Sequence, residues 1–166
     1  MGMVRALAMR DDQYVEDIIG PLLVQLDHER EAIMEAYLQA LVREEPDRIG
    51  DWATVNGSLL DALIRSLGEL TRTHLRGAVL RLAARSSRVD LASYLAAFAT
   101  DLLSGSLTGP PSPYEELALL EALSATGSPD LAMAAISMAQ SSRNPVIVAE
   151  ARRVAATLLA GRGGSP

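Results

Sequence analysis

The residues able to carry chemistry are few, and their types exclude more than they suggest. His28 and His74 are the two histidines, and there is no cysteine. A three-histidine zinc site is ruled out within one chain, as are thiolate catalysis, disulfides and iron–sulfur clusters. A di-iron bundle needs Glu-x-x-His pairs, but Gln25 and Thr71 stand three residues before the histidines. Asp27, Glu29 and Glu31 lie near His28. Adjacent helix positions point apart, so they make a poor ligand set. His74 sits between Arg72 and Arg76 and reads as a helix-surface or partly buried side chain. All 15 basic residues are Arg. Without Lys there is no Schiff base, no lysine-anchored pyridoxal phosphate and no ordinary P-loop. No Ser occupies a nucleophile-elbow context, and no Gly-rich loop opens a helix after a strand. Carboxylates such as Asp11, Asp12, Asp17, Glu44 and Glu45 fall in hydrophilic termini or caps. No catalytic, metal or cofactor site is expected, and the chain reads as a non-enzyme.

Two groups of residues remain as candidates. Arg72, Arg76, Arg81, Arg85 and Arg88 form a run with no acid among them. On a helical wheel Arg72 and Arg76 group together, and Arg81, Arg85 and Arg88 fall on the opposite side. Salt bridges to the acidic N-terminal helices account for such a run. The functional alternative makes Arg81, Arg85 and Arg88 a contact for a protein partner. Two small patches are not one groove for a phosphate backbone, so nucleic acid is not expected. The second group is aromatic. Tyr37, Trp52, Tyr94 and Phe98 are candidates to line an apolar cavity between helices, which would take a small ligand. A lone Trp more often packs a helix corner.

These residues need helices to place them. Apolar residues make up 49% of the chain and aromatics 4%, so the core must be aliphatic and the favoured element helical. The fold class expected is all-α: a bundle of four or five helices over 12–104, then a three-helix unit over 113–161 packed on it. Residues 1–11 read as a flexible arm and 162–166 as a flexible tail. Asp11 or Asp12 caps a short helix that Gly20-Pro21 interrupts. A long helix from Pro21 to about Arg43 carries Leu22, Leu23, Leu26, Ile33, Tyr37 and Leu41 at helical spacing. Its polar turn Asp27–Glu31 is expected to face water or a partner. Residues 48–57 are ambiguous. Leu59, Leu60, Leu63, Ile64, Leu67 and Leu70 mark a further helix, and a stretch near Thr73 to Ala83 continues it or starts afresh. Asp90 is placed to cap the helix of Leu91, Leu95, Phe98 and Leu102.

The 105–112 segment reads as a linker, rich in Gly, Ser and Pro. After it, Ser112-Pro113, Ser128-Pro129 and Asn144-Pro145 each pair a capping residue with a proline suited to a first helical turn. Helices are expected over 113–126, 129–141 and 145–160. Glu115 would complete a capping box with Ser112, and Gly127 and Gly161 stand at C-terminal caps.

The formal net charge is −6, with acids concentrated before residue 52 and an Arg excess over 52–103. The N-terminal apolar run is too short for a signal-peptide core, and no stretch reaches the ~18 apolar residues of a membrane span. A cytoplasmic location is expected, with no membrane and no nucleic acid as partner. The expected partners are proteins, including a second copy through a Leu-rich helix face.

Two resemblances add to this reading. Residues 22–41 (LLVQLDHEREAIMEAYLQAL), 56–69 (NGSLLDALIRSLGE) and 82–103 (LAARSSRVDLASYLAAFATDLL) resemble the N-terminal helical domain of Rsb-type stress regulators. The pieces that carry it are Ile33–Leu38, Leu59–Leu67 and Leu82–Leu95. That resemblance implies a globin-like sensor or docking domain without haem, in a signalling assembly. The last helices, with Asn144-Pro145-Val146, Ala149, Ala151, Arg152 and a Leu158-Leu159-Ala160-Gly161 end, resemble a HEAT-type helical repeat. The leading functional expectation is a non-enzymatic signalling or adaptor module. A small-ligand sensor and a structural subunit of a larger assembly are the alternatives.

Overall fold

Aliphatic periodicity becomes helix throughout the computed structural model, which describes residues 28–44, 49–86 and 88–161. The protein is all-α: among these residues there are eight α-helices, two single-turn 3₁₀ helices and no strand. The α-helices are α1 (His28–Glu44), α2 (Ile49–Val55), α3 (Gly57–Arg65), α4 (Thr73–Ser86), α5 (Ala92–Ser104), α6 (Pro113–Thr126), α7 (Ala132–Ser141) and α8 (Pro145–Ala160). The expected arm over 1–11, the short helix after it, the start of the helix from Pro21, the side chain of His28 and the tail over 162–166 lie outside the described residues.

Local chemistry sets the helix ends. Ser112 and Asn144 cap α6 and α8, with their side-chain oxygens accepting from Glu115 N (3.2 Å) and Val146 N (3.0 Å). Gly105 and Gly127 end α5 and α6 at φ of 72° and 66°, where a side chain would be strained. Gly161 does not share that geometry, since its φ is −62°. The helix expected from Pro129 begins as a 3₁₀ turn, Pro129–Leu131, and Ser128 makes no side-chain cap. Asp90 does not cap α5 either. It lies inside the 3₁₀ turn Val89–Leu91, and the Arg88 guanidinium holds its carboxylate. Residues 49–55 resolve their ambiguity as a short helix. Buried Asn56 then donates to Trp52 O (3.0 Å) before α3 begins.

The start of α4 depends on a distant residue. Glu31 of α1 is 3% exposed rather than facing water. Its carboxylate accepts from Thr71 N (3.1 Å), Thr71 Oγ1 (2.8 Å) and Arg72 N (3.0 Å). An acid on α1 thus satisfies backbone N–H groups just before α4, where the helix dipole favours negative charge. Arg72 Nε donates to Glu35 one turn further along α1 (2.6 Å), which ties the same two helices again.

The helices stack in order. α1 packs on α4, α4 on α6 and α6 on α8, with α4 and α6 the most extensively packed of these pairs. α2 and α3 lie against α4, α5 lies against α6 and α7, and α7 pairs with α8. The four helices of the main stack bury equivalent positions. Met34, Leu38, Leu41 and Val42 of α1 correspond to Leu75, Val79, Leu82 and Ala83 of α4, a shift of 41 from 34 to 75. A shift of 40 (75 to 115) leads to Glu115, Leu119, Ala122 and Leu123 of α6. A shift of 32 (115 to 147) leads to Ile147, Ala151, Val154 and Ala155 of α8. All sixteen side chains are buried. The turns repeat as well: Val89-Asp90-Leu91-Ala92 matches Pro129-Asp130-Leu131-Ala132, each a 3₁₀ turn leading into a helix. Buried Leu91, Leu95 and Phe98 match buried Leu131, Ala135 and Met138. The unit that recurs is a helix, a turn and a second helix.

Candidate functional site

The α4–α6 contact brings together His74, Arg76, Arg81, Tyr114 and Glu115. His74, Gly77 and Arg81 lie at i, i+3 and i+7 on α4, so they share one face. Tyr114, in the first turn of α6, lays its ring on that face. A Cβ at Gly77 would stand 2.5 Å from Tyr114 Cδ1 and closer still to Cε1, so only glycine admits the ring. The His74 ring stacks beside it, with centroids 5.6 Å apart and planes at 21°. The Arg81 guanidinium covers it at 4.7 Å from the centroid. Burial pushes the Tyr114 hydroxyl above its ordinary value, with the Arg81 charge opposing that rise.

Next to Gly77 and Tyr114 in the chain, Arg76 and Glu115 are both fully buried. Arg76 Nε donates to Glu115 Oε1 and its terminal nitrogen to Oε2 (3.3 Å). The other terminal nitrogen donates to Leu70 O (2.7 Å) and Thr108 O (3.2 Å). Glu115 therefore does not close a capping box. Its backbone N–H meets Ser112, but its carboxylate belongs to Arg76. The 105–112 segment is held against α4 at Thr108. The buried Arg76–Glu115 pair and the carbonyls of Leu70 and Thr108 tie α4, α6 and the 105–112 segment into one joint.

Of the proposed partner-contact arginines, Arg81 covers Tyr114 and approaches Glu121 at 3.8 Å. Arg85 donates to Val42 O near the C-terminus of α1 (3.1 Å). Arg88 bridges Asp61 of α3 (2.7 Å) and Asp90 (2.5 Å). Those carboxylates raise the Arg88 pKa, and Arg88 holds Asp90 below the usual carboxylate range. Each of the three has intramolecular contacts, and Arg81 and Arg88 keep about a third of the side chain in water.

Of the aromatics expected to line a cavity, Tyr37 and Trp52 meet directly. Trp52 Nε1 donates to the Tyr37 hydroxyl (2.9 Å), and both rings are buried. Burial raises the Tyr37 hydroxyl to about 12, and the Trp52 bond pulls the other way. Phe98 is buried in the core on α5, and Tyr94 on the same helix is 41% exposed. Among the described residues no group of three or more His, Asp or Glu could hold a metal, and no helix is long and apolar enough to cross a membrane.

An open concavity lies one step further along the stack. A groove of about 930 Å³ runs between α6 and α8. Leu117, Ala125, Pro145, Val146 and Ala149 give it an apolar floor, and Glu121, Ser124, Glu150 and Arg153 its polar rim. Val146 is 61% exposed there. Arg153 binds Glu150 (2.5 Å) and holds that carboxyl below its ordinary value. Sequence reasoning does not single out this groove, because its residues are ordinary ones on two Ala- and Leu-rich helices. The signal that finds it is the repeat. The α4–α6 groove is plugged by Tyr114 over Gly77, and the equivalent positions in the α6–α8 groove are Val146 and Leu117. No protein-family model, curated protein sequence or solved structure matches the chain.

Proposed function

We propose that this chain is a non-enzymatic adaptor module, a helical-repeat protein that engages protein partners on the outer face of its main helix stack. The observation that carries the reading is the equivalence of α1, α4, α6 and α8: these four helices bury matching positions and stack in order. Helical repeats stacked in this way build extended surfaces whose use is to bind other chains. The HEAT-type resemblance of α8 points the same way, and the Rsb-type resemblance is the source of the signalling role. The open, apolar-floored α6–α8 groove supplies a place for a partner. The small-ligand reading receives less support, since Tyr37 and Trp52 engage each other's polar atoms and Tyr94 meets solvent.

The test is affinity capture of the tagged full chain from lysate of its native cells, with bound proteins and small molecules identified by mass spectrometry. A stoichiometric protein partner supports the adaptor reading. A bare chain, or one carrying only a small molecule, contradicts it.

A further inference from the structure

We infer that Arg43, Arg81 and Arg85, with the Tyr114 hydroxyl, form a docking patch for an acidic segment of a partner protein on the outer face of α1, α4 and α6. This rests on the adaptor reading and names the chemistry of the partner.

Three helices bring these groups to one place. Arg81 and Arg85 stand one turn apart on the same side of α4. Arg85 reaches to α1 and donates to Val42 O (3.1 Å), the carbonyl joined to the Arg43 nitrogen. Tyr114 arrives from α6, and its ring crosses α4 at Gly77 under the Arg81 guanidinium. Burial raises the Tyr114 hydroxyl, and the charges of Arg81 and Arg43 both oppose that rise, so both act on its oxygen.

The patch is not neutralised from within. Arg85 gives its bond to a neutral carbonyl. Arg43 is exposed and makes no hydrogen bond or ion pair with another described residue. Arg81 Nε has no hydrogen-bond partner, and its contact with Glu121 is a long 3.8 Å. Glu35, the other acid that acts on Tyr114, is held by Arg72 at 2.6 Å. Three cations thus face one loosely held carboxylate, on a chain whose formal net charge is −6. Arg88 does not belong to the patch, since Asp61 and Asp90 hold it at 2.7 and 2.5 Å. The other helices of the stack do not repeat the excess. At the places of Arg81 and Arg85, α6 has Glu121 and Ala125, and α8 has Thr157 and an Arg153 that Glu150 binds at 2.5 Å.

The arrangement also selects the form of the occupant. Arg81 leans on Tyr114 of α6, while Arg85 is drawn to the end of α1. The guanidinium groups are spread across the face rather than turned to one point. Successive carboxylates along a peptide fit that spread better than one compact anion, and each guanidinium fork matches a carboxylate. Complementary charge would also speed the encounter at low salt.

The probe is a blocked peptide, Ala-Glu-Glu-Ala-Glu-Glu-Ala, titrated at low ionic strength into the ¹⁵N-labelled full chain and followed by amide chemical shifts. A control peptide carries Gln in place of every Glu. Saturable shifts at residues 42–43, 77–85 and 114 are expected, and they should fade as salt is added. Arg43→Gln should weaken binding about two- to fivefold, as for an exposed ion pair. Arg43→Glu should abolish it, while Arg65→Gln on α3 should leave it unchanged. The inference is overturned by absent or scattered shifts, by equal binding of the Gln peptide, or by an Arg43→Gln chain that binds unchanged. Inorganic phosphate that gives the same shifts at no higher concentration assigns the patch to a compact anion and overturns it. Binding that appears only after Glu44→Gln and Glu45→Gln assigns the patch to the chain's own acids and also overturns it. Failure of the peptide while a native partner is still captured rejects this inference and leaves the adaptor reading standing; failure of both rejects both.

Discussion

Replacing Gly77 by Ala places two opposing effects on one methyl group. Alanine favours the helical backbone by about 1 kcal/mol over glycine. The same methyl would lie 2.5 Å from Tyr114 Cδ1, well inside van der Waals contact. Either α4 and α6 separate or the ring swings out, and overpacking of this kind costs about 1–3 kcal/mol. A displaced ring also gives up its stack on His74 and its cover by Arg81, contacts worth about 0.5–1.5 kcal/mol each. The sum is a net destabilisation of about 1–5 kcal/mol from a substitution that local propensity alone marks as stabilising. The sign should reverse in a Tyr114→Ala background, where Gly77→Ala should stabilise by about 0.5–1 kcal/mol because only the backbone term remains. Urea unfolding followed by Trp52 fluorescence and by circular dichroism gives all four corners of the cycle. Gly77→Ala that stabilises in both backgrounds, or destabilises equally in both, would refute the close approach of Tyr114 to α4.

Two further outcomes follow from the same joint. Glu115→Gln leaves the fully buried Arg76 without its carboxylate and should cost about 3–5 kcal/mol in urea unfolding, whereas Arg76→Met combined with Glu115→Leu should match or exceed wild-type stability; a single variant as stable as wild type would contradict the buried pair. Glu116, on the same turn, has its carboxyl pushed up from the ordinary 4.5 by burial first and by Glu115 second. A raised carboxyl contributes stability that is present below pH 4.5 and lost as the pH rises through its folded value. Glu116→Gln should therefore raise Tm at pH 7, with the gain vanishing towards pH 4. A gain that persists or grows in acid would contradict this.

Helix positions and types are legible in the sequence because apolar residues recur at three and four, and because Ser112 and Asn144 precede prolines in the first helical turn. The polar joint is not. Arg76 reads as one more cation in a run, and Glu115 reads as a capping-box acid. The contact that changes both readings spans 39 residues. Glu31 is similar, a helix-surface acid by its neighbours but a buried cap for the start of α4, 40 residues on. The repeat is written in the chain, in Val89-Asp90-Leu91-Ala92 and Pro129-Asp130-Leu131-Ala132. It is hidden by the 16-residue spacing of the capped prolines, which picks out single helices where the unit is a helix pair. The groove follows from that pairing, since only the equivalence of Tyr114 with Val146 reveals an unfilled position.

The most direct test of the account is hydrogen–deuterium exchange of the full chain, alone and saturated with the protein partner obtained by capture. The account predicts a footprint on the outer face of the stack, with slowed exchange over residues 117–125 of α6 and 145–153 of α8. No partner to saturate with, or a bound partner that leaves both segments unchanged and protects other surfaces instead, would contradict it.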